Sequence, residues 1–107
     1  MDANDRKMLA SIIAESTEDT FVLVHGTDTM DQTAEFFDAI FQDKKIILTG
    51  AMRPFEIDPI EASLNLGMAC GFAKAVEKNG VYICMNAQVA PWNEIKKNKT
   101  LGRFELV

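Results

Sequence analysis

Three short apolar runs constrain this chain more than anything else in it: "TFVLV" at 20–24, "KIILTG" at 45–50 and "VYICM" at 81–85. None alternates polar with apolar residues, so each reads as a strand covered on both faces. Such strands need helices above and below, and the intervening segments supply them. Met8, Leu9, Ile12 and Ile13 form an apolar stripe at helical spacing within residues 4–15, and the polar "ESTED" that follows breaks it. Met30, Ala34, Phe37 and Phe41 recur at steps of four, three and four, which predicts an amphipathic helix over 29–42. The stretch "DPIEASLNLGMACGFAKAVEKNG" has Asp58 to cap it, Pro59 in the first turn and Glu61 at a capping-box-like spacing, with Asn79 and Gly80 to close it. From Asn86 onward the sequence is polar, contains Pro91, and reads mostly as loop until "GRFELV".

Helix, strand, helix, strand, helix, strand is the pattern of a parallel sheet with right-handed crossovers. The expected class is α/β: a doubly wound, mostly parallel sheet with flanking helices, three-layered in the Rossmann or flavodoxin manner. With 107 residues, 48% of them hydrophobic, residues 1–107 suffice for one domain. A formal charge of -5 with no long basic block argues against nucleic acid as a partner. "MDANDRK" does not open as a signal peptide does, and no apolar run approaches membrane-spanning length, so the expectation is a soluble, cytoplasmic protein without a membrane partner. Cys70 and Cys84 lack the spacing of a metal or redox pair and read as two buried free thiols. Nothing in the sequence calls for a metal or an organic cofactor.

In sheets of this kind ligands bind where the carboxyl ends of strands run into loops. Three segments are expected to converge there: "HGTDT" at 25–29, "TGAMRP" at 49–54 and "MNAQV" at 85–89. Asp28 stands at or just before a helix N-terminus, where free N–H groups and the helix dipole favour its carboxylate. It can accept from an ammonium group or orient a water, or it or Thr27 can simply cap the helix. Thr27 offers a hydroxyl that both donates and accepts, and Gly26 permits close backbone approach. His25 reads as a satisfied structural histidine, and Arg53 either binds an anion or pairs near Asp58. Gly67 and Gly71 are expected to let their helix pack closely on the sheet. One of Lys96, Lys97 and Lys99 could turn back toward Asp28, where an ammonium, a carboxylate and a hydroxyl together would support proton relay.

The segments "HGTDTMDQTAEFF", "ILTGAMRP", "NLGMA" and "MNAQV…KKNK…GRFE" resemble, in order and spacing, the N-terminal domain of the bacterial L-asparaginase family, and most nearly its short single-domain members. The resemblance implies that Thr27 and Asp28 bind substrate and assist catalysis, with Gly26 beside them. It implies that the family lysine is Lys97, with Lys96 as the other choice, and that the aspartate also holds the α-ammonium group of the substrate. The implied reaction is hydrolysis of L-asparagine, or a related amide, to L-aspartate and ammonia, by a homo-oligomer.

The family also uses a "TGGTI"-type loop with another threonine and a second loop that binds the α-carboxylate, and neither pattern occurs in these residues. The expectation is therefore a domain truncated at its N-terminus and weak or inactive alone. Beside an amidohydrolase domain stand two alternatives: a catalytically silent module that associates with partners, and an amino-acid-binding protein without turnover.

Overall fold

In the computed structural model, which describes all 107 residues, the elements run α1 (Ala3–Glu15), β1 (Thr20–Val24), α2 (Met30–Ile40), β2 (Lys45–Thr49), α3 (Pro59–Ala75), β3 (Gly80–Met85), β4 (Gln88–Pro91), a 3-10 turn (Trp92–Glu94), β5 (Ile95–Asn98) and β6 (Arg103–Leu106). The four-stranded sheet has the order β1-β2-β3-β4, in which β1, β2 and β3 are parallel and β4 is antiparallel to β3. A separate hairpin pairs β5 with β6.

The two-faced burial expected of the strands holds for β2 and β3, and strand geometry divides their side chains between two cores. Ile46, Leu48, Val81, Ile83 and Met85 point to one face, where they meet Ile13 of α1 and Met30, Ala34 and Phe37 of α2. Ile47, Tyr82 and Cys84 point to the other, where Ala69 and Phe72 of α3 cover them. The result is three layers, α1 and α2 above and α3 below. β1 lies at the sheet edge and is only half-buried, with Val24 70% exposed. In α1 only half of the expected stripe is used: Leu9 and Ile13 meet the core, while Met8 and Ile12 face outward.

The topology corrects one expectation. Crossing from β1 to β2 and from β2 to β3 advances across the sheet in a single direction, yet α2 and α3 lie on opposite faces. Two such crossovers must have opposite hands, so they are not both of the right-handed kind that governs most parallel sheets.

Four local readings also change. The helix opened by Pro59 ends at Ala75, with Val76 as its C-cap, and not at Asn79 and Gly80, because β3 begins at Gly80. Asp58 does cap it, accepting from the Glu61 N–H, but the Glu61 carboxylate does not close a box; it accepts from the backbone N–H groups of Met52 and Arg53 and ties down the loop after β2. Gly67 and Gly71 face open space and provide no close packing, and Cys70 is exposed while Cys84 is buried, so the two thiols differ where both were expected inside.

The stretch from Asn86 to "GRFELV", expected to be mostly loop, instead folds into β4, the 3-10 turn and β5, which pairs with β6 inside "GRFELV". Its polar composition disguised it, because β5 is "IKKN" and buries chiefly Ile95. A two-residue turn joins β3 to β4 with both Asn86 (φ 54) and Ala87 (φ 59) left-handed. That geometry suits Asn-Gly hairpins and is strained for alanine. Ala87→Gly should stabilise the fold by about 0.5–1 kcal/mol, read as a raised urea midpoint at constant m.

Candidate active site

β1 delivers His25 to the edge of the upper core, and the backbone is then clamped. The His25 N–H donates to the Thr49 carbonyl at 2.8 Å, and the His25 carbonyl lies so close to Gly50 that a Cβ there would sit 2.2 Å from its oxygen. The following residues, Gly26, Thr27 and Asp28, span the gap to α2. Thr29 occupies the N-cap position and makes no side-chain capping bond. Neither Thr27 nor Asp28 therefore serves as the cap, because both point to a different partner.

That partner is Lys97. Its Nζ lies 2.9 Å from Thr27 Oγ1 and 2.6 Å from Asp28 Oδ1, across some 70 residues of sequence. Alternation along β5 selects it: Ile95 is buried in the upper core, Lys97 shares its face, and Lys96 projects to the opposite, exposed side beside Glu105. The lysine side chain is 17% exposed, whereas that of Asp28 is 89% exposed. The ammonium is held firmly beneath a carboxylate that faces the solvent.

The pairing also sets the electrostatics. The hydrogen bond from Lys97, then its positive charge and more weakly that of Lys99, hold the Asp28 carboxyl below the ordinary carboxylate range. The expected cause, backbone N–H groups at the start of α2, is not the operative one. Because the pKa in the folded state is lowered, whatever the ion pair adds to stability is present above the ordinary carboxylate range and is lost as pH falls through the depressed value. The carboxylate is too exposed for that contribution to be large.

A protonated lysine has only donors. Lys97 therefore occupies a lone pair of Thr27 Oγ1, and the threonine's own proton is free to point elsewhere. The cavity beside the trio, about 560 Å³, is lined by Asp31 and Gln32 of α2, by Trp92 and Asn93 of the 3-10 turn and by Lys96 and Lys99, over an apolar floor of Ile83, Ile95 and Phe104. It is large enough for a small polar molecule. Sequence reasoning did not find the wall formed by Trp92 and Asn93. The strand period in "EIKKN" could have revealed that Lys97 faces inward.

The other expected contributors lie elsewhere. "TGAMRP" borders a separate, mainly apolar hollow with Val24, Phe55 and Leu66. "MNAQV" forms the β3–β4 turn, where Asn86 Oδ1 accepts from the Phe104 N–H and so anchors the β5–β6 hairpin. Arg53 makes no ion pair with Asp58; only its backbone N–H is engaged, by Glu61. His25 is buried and satisfied at both ring nitrogens, as a structural residue should be. No cluster of His, Cys, Asp and Glu suited to a metal ion occurs, and no helix is long and apolar enough to cross a membrane.

Comparison with known proteins converges on one family. Residues 1–104 match the family profile "Asparaginase, N-terminal". The chain is 37% identical over 106 residues to a probable periplasmic L-asparaginase of Haemophilus influenzae, an alignment covering 92% of this chain and 30% of that protein. It is 39% identical over 85 residues to L-asparaginase 2 of Escherichia coli, covering 77% of this chain and 24% of that one. Among solved structures, a probable cytoplasmic L-asparaginase from Campylobacter jejuni superposes with a TM-score of 0.78 at 31% identity, over 96% of this chain and 35% of that chain. L-asparaginase I from Vibrio cholerae gives 0.74 at 25% identity, over 100% and 33%. The chain thus spans about a third or less of the length of these relatives. A sheet of this topology, a profile match over almost every residue and the sequence identities together show that the chain belongs to the asparaginase family, in its N-terminal domain.

Proposed function

We propose that this chain is an asparaginase-like amidohydrolase domain for L-asparagine or a closely related side-chain amide, with turnover at most weak in this chain alone and with Thr27, Asp28 and Lys97 as its catalytic residues. The observation that carries the reading is the single Lys97 ammonium bound at once to a hydroxyl and a carboxylate at the rim of a cavity with charged walls and an apolar floor. Asp28, exposed and ionised, can receive a substrate ammonium, and the neighbouring Gly26 has nothing within 4 Å of where a Cβ would stand, which leaves its backbone open to approach. In the resting state Lys97 donates to Thr27. If the lysine passes a proton to Asp28, the amine becomes an acceptor and can take the proton of Thr27 or of a water as either attacks the amide carbon. The depressed Asp28 pKa opposes that transfer, so the ion pair is the ground state and the relay operates only during reaction.

A second reading, association with another copy, is favoured by α3. Its outer surface leaves Ile60 and Leu64 about 70% exposed, as is Ile57 in the turn before it, and a helix apolar on all sides is normally covered. Relatives of this family bear both periplasmic and cytoplasmic designations, and the two unpaired thiols favour a reducing compartment.

Ammonia release from L-asparagine by the purified chain, with L-aspartate binding measured by calorimetry alongside, tests the proposal. Turnover that disappears in Asp28→Ala supports it. Saturable L-aspartate binding without ammonia moves the reading to an amino-acid-binding protein, and the absence of both overturns it.

A further inference from the structure

The hydrogen bonds around His25 form a directed series that ends on the backbone of the candidate site. Arg6 Nε, on α1, lies 2.8 Å from Thr33 Oγ1 on α2, and Thr33 Oγ1 lies 2.8 Å from His25 Nε2. His25 Nδ1 lies against the carbonyl of Gly26. Proton bookkeeping fixes the direction. A guanidinium has only donors, so Thr33 Oγ1 accepts from it and must send its own proton elsewhere. The acceptors in reach are His25 Nε2 and, at 3.9 Å, Met1 Sδ, a far weaker one. Nε2 therefore accepts, and a neutral ring then carries its hydrogen on Nδ1. The Gly26 carbonyl, which can only accept, receives it.

Thr33 is fully buried and His25 is 6% exposed, so water cannot readily replace either bond. We propose that His25 is a positioning residue for Thr27: its Nδ1–H holds the Gly26 carbonyl, and Arg6 and Thr33 hold the imidazole. The peptide unit is planar, so fixing that carbonyl fixes the Gly26–Thr27 plane and the direction in which Thr27 leaves it toward Lys97. The use of Thr27 in chemistry rests on the function proposed above; its placement does not.

The chain contains one histidine, which makes its ring an unambiguous NMR reporter. Long-range ¹⁵N–¹H correlation near neutral pH should show the Nδ1–H tautomer, and the χ1 couplings of Thr27 should report one fixed rotamer. Thr33→Val should average those couplings, and Thr33→Ser, which restores the hydroxyl, should return them to the wild-type values. His25→Leu should average them as well, with helix content unchanged by circular dichroism. An Nε2–H tautomer, or Thr27 couplings unmoved in Thr33→Val, overturns the proposal whether or not any amide is hydrolysed. If His25→Leu fails to fold, the Thr33 pair of variants decides.

Discussion

On the proposed amidohydrolase reading, Lys97→Met should lower whatever ammonia release from L-asparagine the chain shows by up to about 10²–10⁴-fold, the range spanned by loss of a positioned proton-transfer group. Methionine retains much of the apolar stem of the largely buried Lys97 side chain and removes the ammonium. The lost ion pair involves a carboxylate that is 89% exposed, and such pairs contribute little to stability. Thermal unfolding should therefore barely move while activity collapses. The same variant carries a titration readout. Without the Lys97 hydrogen bond and charge, the principal causes of its depression, the Asp28 carboxyl should titrate closer to its ordinary value of 3.8, followed by its ¹³C resonance. An unchanged titration would mean that Lys97 is not its partner in solution. Lys96→Met should leave both activity and titration near wild type, because Lys96 bonds to neither Thr27 nor Asp28 and does not contribute to the depressed Asp28 pKa.

Gly50→Ala should have the largest effect on stability. A Cβ at residue 50 would stand 2.2 Å from the His25 carbonyl oxygen, and backbone cannot yield as the tip of a flexible side chain can. The neighbouring strands are locked by the bond from the His25 N–H to the Thr49 carbonyl, and the Gly50 carbonyl is itself held by Asn65 Nδ2 at 2.8 Å. Overpacking a site with no room commonly costs about 1–3 kcal/mol, and this one, backbone against backbone, should reach about 3 kcal/mol or more in urea denaturation. By contrast, Gly67→Ala adds a Cβ where nothing lies within 4 Å and should stabilise α3 by up to about 1 kcal/mol. If Gly50→Ala were as mild as Gly67→Ala, β1 and β2 would not approach as closely as described.

The sequence was most informative where burial and period coincide. β1, β2, β3 and α2 were legible to within one or two residues, because an unbroken apolar run or an exact helical stripe leaves few alternatives. The strands β5 and β6 were not legible: "IKKN" and "RFEL" bury chiefly one residue each, Ile95 and Phe104, and the rest is held by pairing between strands. The hand of the crossovers was equally hidden, since it depends on which face each helix covers.

The amino-acid sequence by itself determined the α/β class, the place of "HGTDT" at a strand end and, through resemblance, the family, because local periodicity and a dense motif are written in consecutive residues. Only the tertiary structure decided that Lys97 rather than Lys96 meets Thr27 and Asp28, that Asp28 pairs with a lysine instead of capping α2, and that Trp92 and Asn93 wall the cavity. These contacts join residues some 70 positions apart. They exist because the Asn86–Ala87 turn and the bond from the Phe104 N–H to Asn86 carry the β5–β6 hairpin back over the start of α2.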